Sequence, residues 1–158
     1  AGAWMTWVQK IFGLLLIALA VWVISPVFMA TSPNLPTKVL SSGLVLNRVQ
    51  TISQLELAIA RATAQGRPVM IDFYADWCVT CKEMEVLTFA KPAVAQRLKA
   101  YELIQVDVTK NSAEDRLLLT RFGLFGPPAI LFIDQQGQEL ANKRVIGFMK
   151  PERFLEKL

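Results

Sequence analysis

The sequence has no histidine and only two cysteines, Cys78 and Cys81, among its 158 residues. A structural zinc site takes four Cys or His ligands, so two thiols without an imidazole do not complete one, and no carboxylate stands at a spacing that suggests a substitute. Haem attachment through C-x-x-C-H fails as well, because Lys82 follows Cys81. Runs of like charge are missing too: 17 basic and 13 acidic residues are interspersed, for a net charge of +4. A nucleic-acid face needs clustered basic residues, so the pI near 9.3 argues for no nucleic-acid partner. No internal repeat is present.

Polar residues are absent from one long stretch. The chain is 53% hydrophobic, and its mean hydropathy of +0.37 owes its excess to "IFGLLLIALAVWVI", Ile11 to Ile24, with the apolar run resuming after Ser25 and Pro26 to reach Ala30. About 20 such residues cross a hydrocarbon core of about 30 Å. Trp4, Trp7 and Trp22 suit interfacial positions and Lys10 a polar boundary, so residues 1–30 are expected to form a transmembrane helix with its flank. A cleaved signal peptide fits less well, because Phe28 is too large for the −3 position before Thr31. A buried globular helix has only a polar linker to pack against. The chain opens Ala1-Gly2 without an initiator methionine, which leads us to expect further polypeptide before it.

Residues 31–43, "TSPNLPTKVLSSG", have the composition of a linker. Beyond it the pattern is globular. "LVLNRVQ" (44–50) reads as a strand, and "SQLELAIARATAQG" as a helix opened by a Ser53–Glu56 capping box and closed at Gly66. "PVMIDFYA" (68–75) has little alternation, as expected of a central strand buried on both faces. "KEMEVLTFA" is helical and restarts around Pro92. "ELIQVDVT" (102–109) reads as a strand, and "SAEDRLLLTRFG" as a helix with a Ser112–Asp115 box. "PAILFIDQQGQE" and "KRVIGF" form a strand, a turn and a return strand, and Pro151 begins a last helix. The order β-α-β-α-β-α-β-β-α predicts an α/β domain over 44–158, a mixed sheet with helices on both faces. Its alternating strands are expected to pair parallel, and its closing hairpin to form an antiparallel edge.

The two cysteines fall between the central strand and a helix. A structural bridge gains little there, since it closes almost no loop. A redox couple has a physical basis: with Cys78 in the first turn and Cys81 three residues on, both sulfurs share a face and can bridge with little backbone movement. The free N–H groups of a helix start also favour a thiolate. Cys78 is expected to be the exposed nucleophile and Cys81 the deeper resolving thiol. No cofactor is expected beyond this disulfide, and no metal.

"DFYADWCVTCK" resembles the active-site segment of the thioredoxin superfamily, and "FGPPAILFI" resembles its cis-proline loop, with Pro128 at the matching position. The resemblance covers about residues 44–158 and implies the thioredoxin fold. "DFYADWCVTCKEMEVLTF", "GLFGPPAILFIDQQGQE" and the preceding apolar run narrow it further. Together they resemble the carboxy-terminal periplasmic domain, with the last transmembrane helix, of the bacterial inner-membrane thiol:disulfide interchange proteins. That implies a protein-disulfide reductase taking electrons from a membrane domain of the same polypeptide and passing them to its amino-terminal periplasmic domain, on a route serving disulfide isomerases and cytochrome c biogenesis. A self-contained, membrane-tethered reductase for cytochrome c maturation is the alternative, and a binding module with an idle disulfide is a second. Trp77, Phe125, Pro127 and Pro128 are expected at the docking surface. Phe73 and Tyr74 belong either there or to the core.

Two carboxyls bracket the cysteines: Asp72, six residues before Cys78 in an apolar strand, and Glu85, seven after it. Asp72 matches the buried acid of thioredoxins, but the lysine that commonly pairs with that acid has no match, and Gln105 stands at about its place. A buried carboxyl has its own pKa raised, and once charged it raises that of a nearby thiol. Asp72 and Glu85 are therefore expected to tune Cys78, with Asp72 hard to ionise.

Overall fold

The structure, a computed structural model, describes residues 3–29 and 35–158, with side chains in the first stretch described at positions 4 and 7–21. These fall into two compact units, one ending before Leu35 and one spanning Leu35–Leu158. The first is a helix, α1 (Ala3–Met29), along which Phe12, Leu14 and Ile17 are exposed. Among the described residues no helix is long and apolar enough to cross a membrane. The described side chains of α1 stop at position 21, and the expected span, Ile11 to Ala30, runs outside them.

The second unit opens with a short strand, β1 (Thr37–Val39), inside the stretch read as linker. It pairs antiparallel with β2 (Val45–Val49). Helix α2 (Ile52–Ala64) buries Leu55, Ala58 and Ala62 at helical spacing. Its cap is Thr51, whose hydroxyl accepts the Gln54 N–H at 3.2 Å, rather than Ser53. Thr51-x-x-Gln54 repeats the Ser53-x-x-Glu56 pattern two residues earlier. Starting there gives the helix Ile52, which packs on the core. Gly66, with φ +66°, ends it in the left-handed conformation that glycine adopts most easily.

Strand β3 (Val69–Tyr74) is buried throughout. Helix α3 (Val79–Glu83) runs into a π-helical turn, Met84–Phe89, and α4 (Pro92–Leu98) restarts with Pro92 in its first turn. Then come β4 (Glu102–Asp107), α5 (Ala113–Arg121) with both bonds of the Ser112–Asp115 box, and β5 (Ala129–Ile133). A 3₁₀ turn (Ala141–Lys143), β6 (Val145–Ile146) and α6 (Pro151–Leu155) complete the unit.

The sheet order is β1-β2-β4-β3-β5-β6. The β2–β4 and β3–β4 pairs are parallel, and β5–β6 is antiparallel. One pairing departs from expectation: β5 follows a helix yet runs antiparallel to β3. After α5 the chain returns through residues 122–128 to the end of the sheet it left, so Ala129 begins opposite Phe73. Cores form on both faces, with α2 and α5 over Val69, Ile71 and Phe73. The π-turn, α4 and α6 cover Met70, Ile130 and Phe132. The registers Phe73↔Ala129 and Tyr74↔Asp107 bring the loops after β3 and β4 and before β5 to one end of the sheet. The cysteines are in the first of these loops and the helix it enters.

Candidate functional site: a disulfide over a row of polar side chains

Cys78 and Cys81 are bonded, with S–S 2.08 Å and Cα atoms 5.3 Å apart. Cys78 is the N-cap of α3, and its sulfur accepts the Cys81 N–H at 3.1 Å. A sulfur in this position receives the free N–H of a helix start, which stabilises negative charge on it. Cys81 Sγ lies 4.0 Å from the Phe73 carbonyl oxygen. Cys78 is less open than expected, at 6% exposed against 2% for Cys81. Its neighbours Trp77 and Val79 stand out at 59% and 68%.

The sheet face under the active-site helix carries a row of polar residues. Arg48, Gln105 and Asp72 are cross-strand neighbours on β2, β4 and β3, and such neighbours share a face. The Arg48 Nε–H donates to Gln105 Oε1 at 2.9 Å, which fixes the orientation of the Gln105 amide. Gln105 Nε2 then donates to Asp72 Oδ2 at 3.0 Å and to Glu85 Oε1 at 3.1 Å. One amide nitrogen thus bridges the two carboxyls. Lys38 Nζ, from β1, closes the cluster at 2.5 Å from Glu85 Oε1 and 4.2 Å from the centre of the Tyr74 ring. At the other end an Arg48 guanidinium nitrogen lies 3.6 Å from Asp107 Oδ2.

Asp72 and Gln105 are buried, at 3% and 0% exposed, and the Glu85 side chain is 12% exposed. Burial pushes the Asp72 pKa from 3.8 up to about 6. The Gln105 hydrogen bond draws it back, the Glu85 charge raises it and the Lys38 charge lowers it. Burial likewise pushes the Tyr74 hydroxyl up to about 12, with Glu85 adding to the effect. Gln105 was legible as a polar residue in an apolar strand at the place of the absent lysine. Lys38 and Arg48 gave no signal: one sits in linker-like sequence and the other on a short strand.

Phe73 and Tyr74 are core residues, at 0% and 4% exposed. Phe125 is fully exposed. The Pro127–Pro128 peptide is cis, and Ala129 after it packs in the same buried cluster as both cysteines. The Gly147 N–H donates to the Pro128 carbonyl at 3.0 Å. The Trp77 indole N–H donates to the Thr109 carbonyl at 3.1 Å, and the Thr109 hydroxyl accepts the Asp76 N–H at 2.9 Å. The loop after β4 therefore holds the tryptophan beside the first cysteine. Among the described residues no group of three or more His, Cys, Asp or Glu could hold a metal ion.

A disulfide at a helix start, after the central strand of a mixed sheet and beside a cis-proline loop, defines a thioredoxin-like thiol:disulfide exchange domain. A family model described as thioredoxin-like matches residues 50–135, and the chain belongs to that family. Within it the chain is similar to the thiol:disulfide interchange protein DsbD. It is 54% identical to DsbD of Ralstonia nicotianae over 73% of this chain, and 50% identical to DsbD of Klebsiella pneumoniae over 70%. The chain spans about a fifth of the length of these curated relatives, 19% and 18%. Among solved structures, the oxidised DsbD C-terminal domain of Neisseria meningitidis is 36% identical, with a TM-score of 0.62, covering 69% of this chain and 94% of that one. A thioredoxin of Thermus thermophilus shares the fold, with a TM-score of 0.55 and 26% identity, covering 71% of this chain and 83% of that one.

Proposed function

We propose that this domain is an electron relay of a DsbD-like protein. It accepts electrons from a membrane domain of that protein and passes them to its amino-terminal periplasmic domain by thiol exchange. The bonded Cys78–Cys81 pair at the start of α3, with Cys81 buried beneath it, carries this reading. A donor thiolate attacks Cys78 Sγ and expels Cys81 as a thiolate, which takes up a proton. The donor's second thiolate then attacks the mixed disulfide and releases Cys78. In the forward step Cys78 attacks the acceptor disulfide, and Cys81 attacks Cys78 Sγ, restoring the bridge and releasing the acceptor as a dithiol. Two electrons and two protons pass in each half.

Trp77, Phe125, Pro127 and Pro128 form the docking surface in this reading, supported by the exposure of Trp77 and Phe125 beside the cysteines' loop. Asp72 and Glu85 keep Cys78 a poor nucleophile until a partner covers the site. Their junction at the Gln105 amide supports this, since two carboxyls held together oppose further negative charge nearby. Ile11 to Ala30 is the span that anchors the domain on the periplasmic side of a bacterial inner membrane, supported by its apolar sequence and the helical backbone of Ala3–Met29. The test is insulin reduction: Cys78→Ser is expected to lose all activity and Cys81→Ser to accumulate mixed disulfide. Wild-type turnover by Cys78→Ser would refute an exchange function.

A further inference from the structure

We propose that Lys38 is a positioning residue of the exchange site, fixing the Glu85 carboxylate against the Gln105 amide and offsetting its charge, so that Glu85 and Asp72 can lie together under the active-site helix. The inference deepens the carboxylate reading above and depends on it for its consequence at Cys78.

Glu85 Oε1 takes two donors, Lys38 Nζ at 2.5 Å and Gln105 Nε2 at 3.1 Å, and that same nitrogen reaches Asp72. The Lys38 ammonium lies over the Tyr74 ring, with Nζ 4.2 Å from its centre, and the side chain is 25% exposed. From β1 at the edge of the sheet it thus meets both the Glu85 carboxylate and the Tyr74 ring. The groups around Asp72 are Tyr74 on its own strand, Glu85 on the π-turn, Lys38 on β1, Arg48 on β2, and Gln105 and Asp107 on β4. Of the two cations, Arg48 is engaged with the Gln105 carbonyl oxygen and Asp107, whereas Lys38 contacts a carboxylate of the pair. Without Lys38 the two acids lie side by side with only a neutral amide between them. Like charges so placed disfavour each other's ionised form, and a nearby cation restores it. The cation beside these carboxyls thus comes from a three-residue edge strand. The amino-terminal arm of the domain, outside the conventional motif, thereby becomes part of the site.

The experiment is carbon-13 carboxyl NMR of the oxidised full-length chain across pH, in the wild type, Lys38→Met and Lys38→Arg. In the oxidised chain there is no Cys78 thiol, so the readout stands apart from any role of the carboxyls at that cysteine. Lys38→Met is expected to raise the Asp72 midpoint, as loss of an opposite charge nearby does for a carboxyl, and Lys38→Arg to restore it. An unchanged Asp72 midpoint in Lys38→Met overturns the proposal, and so does an equal displacement by Met and Arg, which would make the role one of shape. Failure of the carboxylate reading shows elsewhere: the pH dependence of Cys78 alkylation in the reduced chain would then be unmoved by Asp72→Asn.

Discussion

Asp72 occupies a position where burial and function conflict. Its pKa lies above the unfolded value of 3.8, at about 6, so the folded state binds the extra proton. Its stabilising contribution is fully present below pH 3.8 and is lost as pH rises through about 6. At about 1.36 kcal/mol per pH unit, ionising it costs the fold on the order of 2–3 kcal/mol. Asp72→Asn is therefore expected to stabilise the domain above pH 6 by up to that amount and to change little near pH 4, measured by urea denaturation at both pH values. Equal effects at the two pH values would count against a titrating acid at this site. Asp72 and Glu85 were legible because an acid stands out in an apolar strand six residues before Cys78, and because a second lies two helical turns after it. Gln105 was legible too, but Lys38 and Arg48, which complete the cluster with it, were not, since a polar row across three strands exists only once the register is set.

At the scale of elements, local signals succeeded where the cap pattern was unique and failed where two patterns overlapped. The Ser112–Asp115 box is present as read, but α2 uses Thr51 where Ser53 was expected. Thr51→Ala is expected to cost about 1 kcal/mol and Ser53→Ala less than about half of that, measured by denaturant midpoints. The π-turn has no sequence signal of its own. It is tied to the segment before α6 by the buried Thr88 hydroxyl, which donates to the Met149 carbonyl at 2.7 Å, and by the Met149 N–H, which donates to Met84 Sδ at 3.2 Å. Thr88→Val leaves that carbonyl without its donor and is expected to cost about 1–3 kcal/mol in the same measurement. Strand β1 was missed because three residues following two prolines carry too short a period to read. The direction of β5 was missed because a helix between two strands usually implies a parallel crossover.

For the molecule as a whole, fold class, order of elements and redox pair were legible because the chemistry lies in one contiguous segment with alternating strands and helices around it. The proposed electron donor and acceptor are not legible in this chain, which spans 19% and 18% of the length of these curated relatives. A reductant relay makes a direct demand on the Cys78–Cys81 pair, because it must hold electrons loosely enough to pass them on and tightly enough to receive them. Equilibrating the full chain with glutathione or dithiothreitol buffers and counting free thiols gives its reduction potential. A reducing value, at or below about −200 mV, is the result predicted for a relay domain. A value well above that, toward the strong oxidants near about −120 mV, would contradict it.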